Sequence, residues 1–164
     1  MPDVGLAHLN TDIQILSAAP RPTGSAGELN AAEYLQKRFM DMGYTVDTQT
    51  CANEAGVPVT NLVAVKPATG DDADILVITA HHDSVPSSYG ASDNASGLAA
   101  LLAVAEELQE VLSDTEIRFI SFSDEENGKN GSRNYMELLS EEERNRMIGD
   151  IQLDMLGGLG SDGQ

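Results

Sequence analysis

Apolar positions along the chain switch between helical spacing and strand-like runs, with short turns between them. Ala32, Leu35, Phe39 and Met42 share one helical face, and Ser25 followed by Glu28 forms an S-x-x-E capping box ahead of them. This predicts a helix covering one side of a sheet. In NLVAVK, Val63 and Val65 alternate with smaller or polar neighbours, the turn ATGDDAD follows, and Ile75 to Ile78 is a continuous apolar run. That run predicts a central strand covered on both faces. Leu101, Val104, Ala105 and Leu108 predict a second amphipathic helix, and Ile117, Phe119, Ile120 and Phe122 another buried strand. Ser140 and Glu143 repeat the capping box before a short helix ending near Met147, after which Ile151 and Leu153 start a last strand that leads into Asp154.

The alternation of helices and strands predicts an α/β fold: a mostly parallel or mixed twisted sheet with helices on both faces, in three α/β/α layers. No internal repeat or linker interrupts residues 1–164, so the chain reads as a single domain. Composition agrees, with 41% hydrophobic and 22% charged residues. A formal net charge of −18, with only 9 Lys and Arg, excludes nucleic acid and anionic membrane surfaces as partners. Cys51 stands alone, which rules out an intrachain disulfide and a thiolate metal site. No apolar run is long enough to span a bilayer, and MPDVGLAHLN shows no secretory signal.

The chemistry lies where the apolar runs end. ILVITAHHD, GASDNASG, FISFSDEENG and DIQLDM deliver His81 and Asp83, then Asp93, then Glu125 and Glu126, then Asp154. Zinc takes this mixture of imidazole and carboxylate, whereas carboxylates alone suit magnesium or calcium better. A zinc pair sits roughly 3.5–4 Å apart and needs an anionic bridge, for which Asp93 is the candidate. Ligand carboxylates and a hydroxide then balance the charge of two ions.

His81, Glu125, Glu126 and Asp154 follow predicted strand ends, where open α/β sheets bind ligands, and Asp93 stands just before a helix whose N-terminus would help hold it ionised. Two residues apart on extended chain, His81 and Asp83 share a face, so Asp83 can accept the hydrogen bond of the imidazole nitrogen turned away from the metal. His82 faces the other way and reads as a core or rim histidine. Of the adjacent glutamates, Glu126 is assigned as a ligand and Glu125 as the general base that takes a proton from metal-activated water.

AHHDSVPSSYGASDNASG, FISFSDEENGKNGSRNY and DIQLDMLGG resemble, in order and spacing, the motif blocks of the bacterial zinc aminopeptidase family, the aminopeptidase Y-like dizinc exopeptidases of metallopeptidase clan MH. The likeness runs from about Pro20 to Gly158 and includes PRPTGSAGELNAAEYL. It implies His81 and Asp154 on the first zinc, Asp93 as bridge, Glu126 on the second zinc, Asp83 supporting His81 and Glu125 as base. The implied activity is removal of N-terminal residues from peptide substrates. An extracellular or cell-envelope location is also favoured by the resemblance.

The sequence departs from the family at one point: members complete the second zinc site with a later histidine, and none follows His82 here. The expectation is therefore the N-terminal part of a longer domain, its sheet incomplete, binding one zinc well and the second weakly, with little turnover. A truncated sheet would expose an edge, so self-association is expected. Alternatives are another clan MH amidohydrolase or carboxypeptidase, disfavoured by spacing, a single-zinc glutaminyl-cyclase-like acyltransferase, and a non-catalytic remnant. A serine hydrolase is disfavoured because no G-x-S-x-G elbow occurs.

Overall fold

The structure is a computed structural model that describes residues 4–70 and 73–156. Its elements run α1 (Val4–Leu16), α2 (Ala26–Asp41), β1 (Thr45–Ala52), β2 (Pro58–Lys66), β3 (Ile75–His81), α3 (Gly97–Leu108), β4 (Glu116–Phe122), α4 (Asn130–Leu138), α5 (Glu141–Arg146) and β5 (Met147–Gln152). Part of the predicted ATGDDAD turn, Asp71 and Asp72, lies outside the described residues.

The five strands form one mixed sheet in the order β1-β2-β4-β3-β5. The β1–β2 and β2–β4 pairs are antiparallel, and β3 runs parallel to both β4 and β5. Side-chain alternation sends the two sheet faces into different cores. On one face Leu62, Ala64, Ile78, Ala80, Ile117 and Phe119 pack with Leu16 of α1, Leu35 and Phe39 of α2, and Leu98 and Leu102 of α3. On the other, Val63, Val77 and Ile120 pack with Tyr135 of α4 and with Leu139. The three-layer arrangement expected from the hydrophobic pattern is the one observed.

Phe39, Tyr44 and Phe119 join α2, the start of β1 and β4, with ring centroids 5.4 to 6.3 Å apart. The Tyr44 hydroxyl donates to Ala105 O of α3 at 2.7 Å, so a buried polar group is satisfied inside this core.

Several local expectations change. Ser25 does cap α2, accepting from Glu28 N at 3.2 Å. The Glu28 carboxylate, however, is buried and accepts from Gly24 N and from the Ser123 hydroxyl rather than closing the box. The second box, Ser140 with Glu143, is complete. The last strand starts at Met147, directly after α5, and ends at Gln152, so Leu153 lies beyond it. The strand β1 has no counterpart in the predicted pattern, because TVDTQTCA is an edge strand with little burial to select apolar residues. Nor does the pattern predict α1, which packs along α3 and is tied to α2 by buried Asp12, an acceptor for Tyr34 and Arg38.

Candidate metal centre

Because β3, β4 and β5 run the same way, their carboxyl ends meet at one edge of the sheet. Phe122 is level with His81, and Gln152 is level with Thr79. Two more residues bring Asp154 alongside His81, and the loop after Phe122 carries Glu125 and Glu126 to the same edge. Asp93 arrives from an irregular turn over Ala91–Ser96, non-helical at Asp93 and Asn94 and with a cis peptide between them.

Among the described residues, His81, Asp93 and Asp154 form a group whose ligand atoms all lie within 4.8 Å of one another. His81 Nε2 is 3.0 Å from Asp93 Oδ1 and 3.8 Å from Asp154 Oδ1. His81 Nε2 and Asp154 Oδ1 are both buried, and neither makes a hydrogen bond of acceptable geometry. A buried polar atom without a partner is costly, and a divalent cation between these atoms would satisfy both. The residues therefore fit the metal that their types suggest.

Asp83, fully buried, holds this centre from behind. Its Oδ1 lies 3.4 Å from His81 Nδ1 and accepts from Glu125 N at 3.0 Å, while Oδ2 accepts from Glu126 N at 3.1 Å. The imidazole's hydrogen bond runs from Nδ1 to the Asp83 backbone carbonyl at 3.2 Å, rather than to the carboxylate as the sequence suggests. The carboxylate lies beside the ring and holds the glutamate loop. Burial opposes ionisation of Asp83, but the adjacent His81 ring and the two amides hold its carboxyl below the usual range. Burial likewise opposes charge on His81, yet Asp83, with the charges of Glu125 and Asp154, carries its pKa up to about 9.

The paired glutamates diverge. Glu125 lines a cavity of about 110 Å³ with His81, Phe122, Lys129 and Gln152, and its Oε1 is 3.7 Å from Lys129 Nζ. Glu126 does not line that cavity, and the structure does not bring its carboxylate into the His81 triad. Burial and then the negative charge of Asp93 push its pKa up, a crowding of acids that a cation would relieve. His82 faces the opposite side, its Nδ1 2.8 Å from Ser121 Oγ and its Nε2 3.8 Å from Glu28 Oε1. His8 lies on α1, upstream of every motif.

The expected helix-end support for Asp93 is not what is seen. The first residue of α3 is Gly97, and its amide donates to Asn94 Oδ1 at 3.1 Å. Asp93 sits one residue earlier, outside that cap.

Sequence reasoning missed two residues that shape the site. Arg21 is fully buried and donates to the carbonyls of Leu16, His82, Tyr89 and Gly90, tying the end of β3 to the loop that leads to Asp93. Its setting in PRPTGS carries no local signal of this. Asp124 has φ 60° and accepts from Asn53, Asn127 and Asn130, which fixes the bend from which the glutamates emerge. The nearby asparagines were the available hint.

The sequence profile of peptidase family M28 matches residues 61–163. Over 98 residues the chain is 47% identical to aminopeptidase YwaD of Bacillus subtilis, covering 59% of this chain and 22% of that protein. Its fold superposes on BSAP, a zinc aminopeptidase from Bacillus subtilis, with a TM-score of 0.86 at 22% identity, covering 92% of this chain and 69% of that one. The glutaminyl cyclase of Porphyromonas gingivalis superposes with a TM-score of 0.76 at 23% identity, over 96% and 60% of the two chains. The chain spans less than half the length of the curated relatives it matches.

Proposed function

The chain belongs to peptidase family M28, and from that premise we propose that it carries the zinc-binding half of an aminopeptidase site that removes N-terminal residues from peptides. The observation that carries this reading is the convergence of His81, Asp93 and Asp154 on one point with orphaned buried atoms. His81, Asp93 and Asp154 would hold the first zinc, and Asp93 and Glu126 would be available to a second. Zinc, when bound, polarises the scissile carbonyl and acidifies water.

The remaining work falls to side chains. Glu125 takes the proton from the attacking water and passes it to the departing amine, while Asp83 fixes the tautomer of His81 and the direction of the glutamate loop. Lys129 lies beside Glu125, its Nζ 3.7 Å from Oε1 in the cavity that the two share. The acidic surroundings of Asp93 and Glu126 attract a substrate α-ammonium group. With His82 turned to the far face and His8 on α1, a second zinc would find Asp93 and Glu126 as its ligands among the described residues and would bind more weakly than the first.

The test is zinc-dependent hydrolysis of aminoacyl p-nitroanilides with free and with acetylated α-amines, after chelation and zinc restoration. Release confined to the free-amine substrate is expected, at a low rate. Equal consumption of both substrates overturns the aminopeptidase reading. A single-zinc acyltransferase is the second reading, favoured because one ligand triad rather than two converges among the described residues. Formation of pyroglutamate from an N-terminal glutamine peptide would select it.

We also infer self-association through β5, whose outer edge has no partner among the described strands and whose Ile148 and Ile151 are exposed. A monodisperse monomer by light scattering at high concentration contradicts this.

A further inference from the structure

We propose that Asn94 is the positioning residue of the metal centre, clasping the backbone on both sides of Asp154 and thereby setting that carboxylate opposite Asp93. This rests on reading His81, Asp93 and Asp154 as metal ligands, and it concerns how two of them are brought into register.

The strand holding Asp154 gives out before reaching it. The last β3–β5 pair is Thr79 with Gln152, and the final rung is Leu153 N donating to Thr79 O at 2.7 Å. Asp154 Oδ1 has no hydrogen-bond partner, so its side chain does not anchor it. Its place is set by the backbone on either side.

That backbone is gripped from the Asp93 turn. Asn94, fully buried, donates through Nδ2 to Leu153 O at 3.0 Å. Its Oδ1 accepts from Met155 N at 3.4 Å and from Gly97 N at 3.1 Å. One amide therefore contacts the residue before Asp154, the residue after it, and the first turn of α3. Ser96 adds a bond one step further on, accepting from Leu156 N at 3.0 Å.

The approach is close enough to require glycine at position 97, where an added Cβ would lie 2.2 Å from Leu153 O. An asparagine is the economical choice for the clasp because it offers a donor and an acceptor on one short, planar group. Aspartate keeps the acceptor and loses the donor, leaving a carboxylate oxygen against the Leu153 carbonyl. Alanine loses all three bonds.

The experiment measures zinc affinity by calorimetry and the visible spectrum of the cobalt-loaded protein, on samples shown to be folded by circular dichroism. Wild type, N94A, N94D and L35A are compared, the last a core truncation on α2 away from the site. Supporting residues behind metal ligands typically set affinity by about 10–100-fold, and N94A is expected to weaken zinc binding by that factor with altered cobalt bands. L35A is expected to lose stability but keep wild-type affinity and spectrum.

N94D guards against a failure of N94A to fold, since it keeps the bonds to Gly97 and Met155. Its extra negative charge would by itself tighten cation binding, so weaker binding identifies lost geometry. Wild-type affinity and spectrum in N94D overturn the proposal, as does an equal loss in L35A. Absence of zinc binding by the wild-type protein overturns the metal reading itself and this proposal with it.

Discussion

Replacing Asp83 by asparagine tests how far one buried carboxylate supports the site. The side chain keeps its volume and one acceptor oxygen, which can stay between His81 Nδ1 and Glu125 N. The other oxygen becomes an NH2 group facing Glu126 N, donor against donor, where a 3.1 Å bond stood. A partly buried amide left without an acceptor costs about 1–3 kcal/mol, and the loss of charge assistance to His81 adds roughly 1 kcal/mol more. Metal-free D83N should therefore be about 2–4 kcal/mol less stable, which at a urea slope of about 2 kcal/mol/M moves the midpoint down by roughly 1–2 M.

Zinc affinity should fall separately, by about 10–100-fold, because the negative charge beside His81 is lost and the glutamate loop is loosened, although the backbone carbonyl of residue 83 still accepts from His81 Nδ1. Urea unfolding in chelator, followed by circular dichroism, reads the first effect. Zinc calorimetry at a urea-free, fully folded condition reads the second. A D83N protein that unfolds at the wild-type urea concentration and binds zinc with the wild-type Kd would refute this reasoning.

Glu125→Gln should abolish zinc-dependent peptide hydrolysis while leaving bound zinc per chain unchanged, measured by turnover and elemental analysis. Because His81 titrates at about 9 without metal, its proton competes with zinc below that pH. Apparent zinc affinity should thus climb by up to about tenfold per pH unit toward pH 9, with proton release visible by calorimetry in buffers of different ionisation enthalpy. Gly97→Ala, which forces a Cβ to within 2.2 Å of Leu153 O, should lower stability by about 2 kcal/mol or more. An unchanged melting temperature would contradict that close approach.

The layers and the edge that carries the site were legible in the sequence because burial writes itself into period. Ile75 to Ile78 is apolar on both faces, Ile117, Phe119, Ile120 and Phe122 place apolar side chains on both, and His81 and Asp83 share a side because extended chain alternates. The meeting of His81 with Asp154 follows from parallel strands ending together. What the sequence hid are residues whose work is polar and long-range. Glu28 carries a capping signature, yet its carboxylate turns inward to Ser123, 95 positions away. Asp83 accepts two amides from a loop more than 40 positions later, and Asn94 grips a segment about 60 positions on. Neither bond leaves a periodic trace. The edge strand β1 is missed for the opposite reason, since too little of it is buried to constrain its residues.

The account stands on one ion seated between His81, Asp93 and Asp154. Anomalous diffraction at the zinc edge from zinc-loaded crystals tests this directly. The expected result is a strong peak about 2.0–2.2 Å from His81 Nε2 and from a carboxylate oxygen of Asp93 and of Asp154, with any second peak weaker and on the Glu126 side. Zinc bound only at other residues, or no peak at that position in a protein saturated with zinc, would contradict it.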